Sequence, residues 1–118
     1  MTTILIVDDD LHFRGQARAV LESDGFDVIG EAVDGASGME AIRRLRPDIV
    51  LLDIGLPDIE GFEVARLLAT ADDAPMVILT SSRDAGAYGP RLAASPAAGF
   101  IPKEDVSGMA IRALTGSA

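Results

Sequence analysis

Apolar positions along this chain follow two patterns, and the patterns alternate. Continuous runs form the first: Ile4 to Val7, Ile49 to Leu52 and Met76 to Leu79. Four apolar residues bounded by charged or turn residues fit a short strand buried on both faces. Phe26 to Ala32, centred on Val28 and Ile29, and Gly99 to Ile101 read as two weaker strands. Between the runs the period lengthens. Phe13, Ala17, Val20 and Leu21 recur at helical spacing, with Arg14, Arg18 and Glu22 between them. Asp10 is placed to cap this helix and Gly25 to end it. Gly38, Ala41, Ile42 and Leu45 mark a second helix, stopped by Pro47. Val64, Ala65 and Leu68 mark a third, broken by Ala74-Pro75. Val106, Met109, Ala110 and Ala113 mark the last, with Asp105 as its expected cap. Residues 83–97 should hold a fourth helix, but Gly86, Gly89 and Pro90 fall inside it. Glycine costs a helix interior about 1 kcal/mol and proline about 3 kcal/mol. A short, broken or displaced helix is therefore expected there.

Five alternations of strand and helix predict an α/β fold: an open, doubly wound, five-stranded parallel sheet with helices on both faces. Such sheets bind ligands outside the carboxyl ends of their strands, at a topological switch point. The unusual polar residues fall at those ends. Asp8 and Asp9 close the first strand, Asp53 the third and Thr80 the fourth, while Lys103 follows the fifth. A charge at the end of a buried strand is costly unless it is used. Asp53 is accordingly read as a nucleophile that receives a phosphoryl group.

Composition narrows the field further. A chain of 118 residues suits one domain with one core. It has no cysteine, which removes disulfides and thiolate metal sites. The net charge of −9 argues against non-specific binding to nucleic acid or anionic membranes, and for cations as partners. No run approaches the ~20 apolar residues of a membrane span. The run from Ile4 to Val7 is too short for a signal peptide and lacks a basic flank, so a cytoplasmic location is expected. Three converging carboxylates repel one another, by about 4 kcal/mol per pair at 4 Å and an effective dielectric near 20. A hard, oxygen-rich site of this kind suits Mg²⁺. The ion would also neutralise an incoming phosphoryl group, which a carboxylate can accept as an acyl phosphate. Lys103 and Thr80 would meet the charge on the equatorial oxygens. Gly55, without a side chain, leaves the approach to Asp53 open.

These residues resemble the receiver domain of bacterial two-component response regulators. The matching stretches are Ile4 to Asp10, Pro47 to Asp53, Leu56-Pro57 followed by Gly61, Val77 to Thr80, and Gly99 to Lys103. They cover the chain from Ile4 to about Leu114. The resemblance implies a flavodoxin-like strand order, 2-1-3-4-5. It implies that Asp53 is the phosphoacceptor, fed by a histidine kinase or a small phosphodonor. Asp8, Asp9, Asp53 and the Gly55 carbonyl would hold Mg²⁺, and Lys103 would bond the phosphoryl group. Thr80 and Phe100 would be the switch pair, Phe100 rotating inward as Thr80 moves. The domain would work by phosphorelay signalling with slow self-dephosphorylation rather than as an enzyme. A downstream protein target, a missing output domain or a homodimer would read its state. Residues 1–118 are expected to form one receiver domain, with no output domain present. The chain departs from the family where Glu104, not proline, follows Lys103, and in the glycines and Pro90 of the fourth helix.

Two other functions compete. A small phosphohydrolase of the haloacid dehalogenase type would use Asp8 and Asp10 as its Asp-x-Asp motif, but it would leave Asp53 without a task. A phosphorylation-independent interaction module would not need the full acidic set. His12 reads as a solvent-exposed bystander. Met39, Met76 and Met109 read as core filler. Arg43, Arg44 and Arg46 read as a solvated helix end that complements the helix dipole. Ser82 lies near the expected pocket, and Tyr88 has no assigned role.

Overall fold

The computed structural model describes residues 1–116. Its strands are β1 (Thr3–Val7), β2 (Asp27–Ala32), β3 (Ile49–Asp53), β4 (Met76–Ser81) and β5 (Gly99–Pro102). They form one sheet in the order β2-β1-β3-β4-β5, with every pairing parallel. The helices are α1 (Leu11–Ser23), α2 (Gly35–Leu45), α3 (Gly61–Leu68), α4 (Pro90–Ala94) and α5 (Gly108–Thr115).

The continuous apolar runs are explained by the two cores they feed. Side chains alternate across a strand. Ile4, Ile6, Ile49, Leu51 and Ile78 therefore join Phe13, Ala17 and Leu21 of α1 and Ile111 of α5. Leu5, Val7, Val50, Leu52 and Leu79 join α2 and α3 on the other face. Each fully buried aliphatic side chain contributes about 1.5–3 kcal/mol, so β1, β3 and β4 anchor the fold.

Local signals fix the helix starts. The Asp10 carboxylate accepts the His12 and Phe13 amides at the head of α1. Asp34 and Ser37 form a reciprocal capping box on α2. The Asp58 carboxylate also accepts the Gly35 and Ala36 amides at 2.8 and 2.9 Å, which ties the loop after β3 to that helix end. The expected fourth helix is short and is preceded by a 3₁₀ turn, Ala85–Ala87. Pro90 does not break it but starts it. Proline at the first helical position loses no hydrogen bond, and Gly89 supplies the positive φ of 56° before it.

Some expectations fail. Asp105 does not cap α5 but lies in a 3₁₀ turn, Lys103–Asp105, and Ser107 makes the cap by accepting the Ala110 amide at 3.1 Å. Met76 and Met109 are exposed rather than core: Met76 is the first residue of β4, at the amino end of the sheet, and Met109 lies in the first turn of α5; Met39 does pack against the core. Val20 is also exposed. Arg14, expected on the polar face of α1, is buried.

Candidate functional site

The strand order reverses at β1: the chain leaves it for β2 on one side and returns to β3 on the other. The carboxyl ends of β1, β3 and β4 consequently meet at one cleft of about 480 Å³. Asp9, Asp53, Gly55, Glu60, Tyr88 and Lys103 are among the residues that line it. A larger groove of about 880 Å³ lies at the opposite end of the sheet, beside Pro47 and Pro75, away from the clustered carboxylates.

Asp8, Asp9 and Asp53 each offer an oxygen within 4.8 Å of one another. Asp8 is fully buried. Its Oδ1 accepts the Asp10 amide at 2.9 Å, and its Oδ2 lies 2.9 Å from Lys103 Nζ. Asp9 is exposed at the mouth. Asp53 is 5 % exposed, and its Oδ1 accepts the Gly55 amide at 3.3 Å. Its Oδ2 faces Lys103 Nζ at 3.8 Å. A Cβ added at Gly55 would meet only that oxygen, at 4.0 Å, so the approach is open. Lys103 reaches both carboxylates although no proline follows it, and its ammonium also sits 4.8 Å from the Phe13 ring centroid.

Burial, and then the Asp8 charge, push the Asp53 carboxyl up to about 6, against the pull of Lys103 and the Gly55 amide. Burial draws Lys103 down, but Asp8 and Asp53 outweigh it and hold the ammonium above the ordinary lysine range. Among the described residues Lys103 is the one cation paired with this cluster. Three carboxylates against one ammonium leave an excess of negative charge, and all the donors are oxygen. That set fits a hard divalent cation.

Thr80 stands beside Asp53 in the sheet register. Its side chain is wholly buried, and its Oγ1 makes no hydrogen bond among the described residues. A buried hydroxyl without a partner is unusual and calls for an explanation. Phe100 is not brought to the carboxylates. It packs on the other core, its ring centroid 6.1 Å from that of Tyr88.

Several neighbours escaped the sequence reading. Tyr88 wedges between Phe62 and Phe100, and its hydroxyl hydrogen-bonds Ser81 Oγ. Arg91 stacks on Phe62 at 4.3 Å and pairs with Glu60 at 2.7 Å. Glu60 occupies the cap position of α3 yet makes no cap hydrogen bond. These contacts join residues far apart in sequence, so no local pattern announces them. His12 is exposed, as expected.

Comparison with known proteins gives the family. Residues 4–112 match the model of the response regulator receiver domain. The chain belongs to that family. The receiver is 45% identical over 83 residues to the DNA-binding response regulator MtrA of Mycobacterium tuberculosis, covering 69% of this chain and 35% of that protein. It is 34% identical over 102 residues to BvgA of Bordetella pertussis, covering 86% of this chain and 49% of that one. Among solved structures it is similar to the signal receiver domain of NarL from Mycobacterium tuberculosis, with a TM-score of 0.85, 29% identity and 98% of each chain covered. The chain thus spans about a third to a half of these curated relatives. Receivers are parts of two-component signalling systems rather than classical enzymes. Among the described residues no helix is long and apolar enough to cross a membrane.

Proposed function

We propose that this receiver accepts a phosphoryl group on Asp53 from the phosphohistidine of a histidine kinase, and that the acyl phosphate changes how partners bind. The observation that carries this is Asp53 itself: a nearly buried carboxylate at an open cleft, flanked by two more carboxylates and one lysine. An Asp53 oxygen attacks phosphorus, the phosphorus–nitrogen bond breaks, and the imidazole leaves with the electron pair. Lys103 bonds a phosphoryl oxygen, and the unpartnered Thr80 hydroxyl turns to donate to another. Phe100 follows Thr80, which displaces Tyr88 and so reshapes the α4 face. Asp8, Asp9, Asp53 and the Gly55 carbonyl would hold Mg²⁺, which neutralises charge on the phosphoryl oxygens when bound. Water later attacks the same phosphorus, the bond from phosphorus to the Asp53 oxygen breaks, and inorganic phosphate leaves with Asp53 restored as a carboxylate.

Residues 1–118 act here as one receiver unit, placed in the cytoplasm. Its state is passed to a downstream protein, an output domain or a second receiver, and the domain itself binds no nucleic acid. The hydrolase alternative fits poorly. Asp8 is buried and paired with Lys103, and Asp10 is spent on capping α1. Treatment with acetyl phosphate, with and without Mg²⁺, tests the reading by intact mass. Wild type should gain one phosphoryl group only with Mg²⁺, and Asp53→Asn none. Labelling of Asp8 would overturn it.

A further inference from the structure

Arg14 is a charged residue buried among the apolar contacts of α1, at 8% exposure. Its Nη1 donates to the Asp8 carbonyl at 2.7 Å, and its Nε donates to Glu31 Oε1 on β2 at 2.9 Å. Glu31 is held in turn by Arg18, whose Nε lies 2.8 Å from Oε2 and whose Nη1 reaches the Val28 carbonyl. Arg18 pairs first, and Arg14 second, in holding the Glu31 carboxyl below its usual range, against desolvation. The result is a strut from β2 through Glu31 and Arg14 to the peptide joining Asp8 to Asp9.

A buried guanidinium close to a cluster that must bind a cation is a poor choice on charge alone, because it repels the ion. The geometry supplies the compensation. The Asp8 carbonyl belongs to the peptide that sets the direction of Asp9, the most exposed of the three carboxylates. The Asp8 amide is already held by the Ala32 carbonyl at 3.0 Å, and Asp8 Oδ1 by the Asp10 amide. Arg14 holds the carbonyl side of the same turn. We infer that Arg14 is a positioning residue for the cation site: it fixes the Asp8–Asp9 peptide, and so the mutual placement of the carboxylates, through the Asp8 carbonyl. This rests on the reading of the cluster as a Mg²⁺ site.

The two effects of Arg14 have opposite signs, which makes the inference testable. Titration of MgCl₂ into unphosphorylated protein by calorimetry measures affinity without any phosphotransfer. Residues that orient ligands are worth about ten-fold or more in metal affinity. Arg14→Met should therefore weaken Mg²⁺ binding about ten-fold although it removes a repelling charge. Arg14→Lys, which keeps the charge but cannot span both partners, should fall between the two. Arg18→Met removes the same charge from the same helix without touching Asp8, and should bind Mg²⁺ at least as tightly as wild type. The Asp9 amide nitrogen shift should move in both Arg14 variants and stay put in Arg18→Met. Equal or tighter binding by Arg14→Met, or weakening by Arg18→Met to the same degree, overturns the inference. If Arg14→Met does not fold, Arg14→Lys decides: wild-type affinity overturns the inference, weaker binding supports it. A wild type that binds no Mg²⁺ would instead refute the metal site itself.

Discussion

Asp53 and Thr80 illustrate the strain stored in single residues of the cleft. The Asp53 carboxyl titrates near 6, above an ordinary aspartate at 3.8. A raised acid binds its proton more tightly in the folded state. It therefore supports the fold below pH 4 and loses that support as pH rises through about 6. Without Mg²⁺, Asp53→Asn should be more stable than wild type at pH 8, by on the order of 3 kcal/mol. The difference should vanish near pH 4, and urea melts at the two pH values check it. Thr80 makes a parallel case. Thr80→Val removes an unpartnered buried hydroxyl and should raise stability by about 1 kcal/mol. The same change should abolish the amide shifts that beryllofluoride with Mg²⁺ produces at Phe100 in wild type. Asp53 was legible in the sequence because it ends an apolar run. Arg14 was not, because period alone placed it on a polar face, and only the tertiary position of Glu31 and the Asp8 carbonyl draws it inside.

Among the elements, the loop from β3 to α3 is held close against the end of β3. The Gly61 amide donates to the Ile54 carbonyl at 2.9 Å, and a Cβ on Gly61 would lie 2.4 Å from the Asp53 carbonyl oxygen. That neighbour is backbone and cannot turn aside. Gly61→Ala should cost about 1–3 kcal/mol and slow acetyl phosphate labelling, because any relief moves Asp53. Strands β1, β3 and β4 and helices α1 to α3 could be read from apolar period and from turn residues. The head of α5 could not: Asp105 and Ser107 are both good caps, and the choice depends on the path the chain takes after Lys103. Met76 and Met109 satisfy the apolar pattern yet are exposed, because Met76 opens β4 at the end of the sheet and Met109 stands in the first turn of α5.

Taken whole, the molecule is a stiff sheet with one lightly attached region. Hydrogen exchange should be fastest over residues 85–94, where no side chain of the short turn or of α4 is buried, and slowest in β3. The charge of −9 and the acidic cleft predict a second global effect. Millimolar MgCl₂ should raise the melting temperature of wild type by binding the native state alone. Asp53→Asn should show little of that gain, and NaCl of equal ionic strength should not reproduce it.

Glu60 stands at the head of one helix and gives its carboxylate to another. With Tyr88 and Arg91 it ties α4 to the body of the domain through side chains, and Glu60 and Tyr88 themselves border the cleft that holds the acids. Under the proposed function, reaction and address are thus spelled with shared letters. Exchanging Glu60 or Tyr88 would therefore touch both whom this domain speaks to and what it does to phosphorus, whereas Arg91 stands outside the cleft.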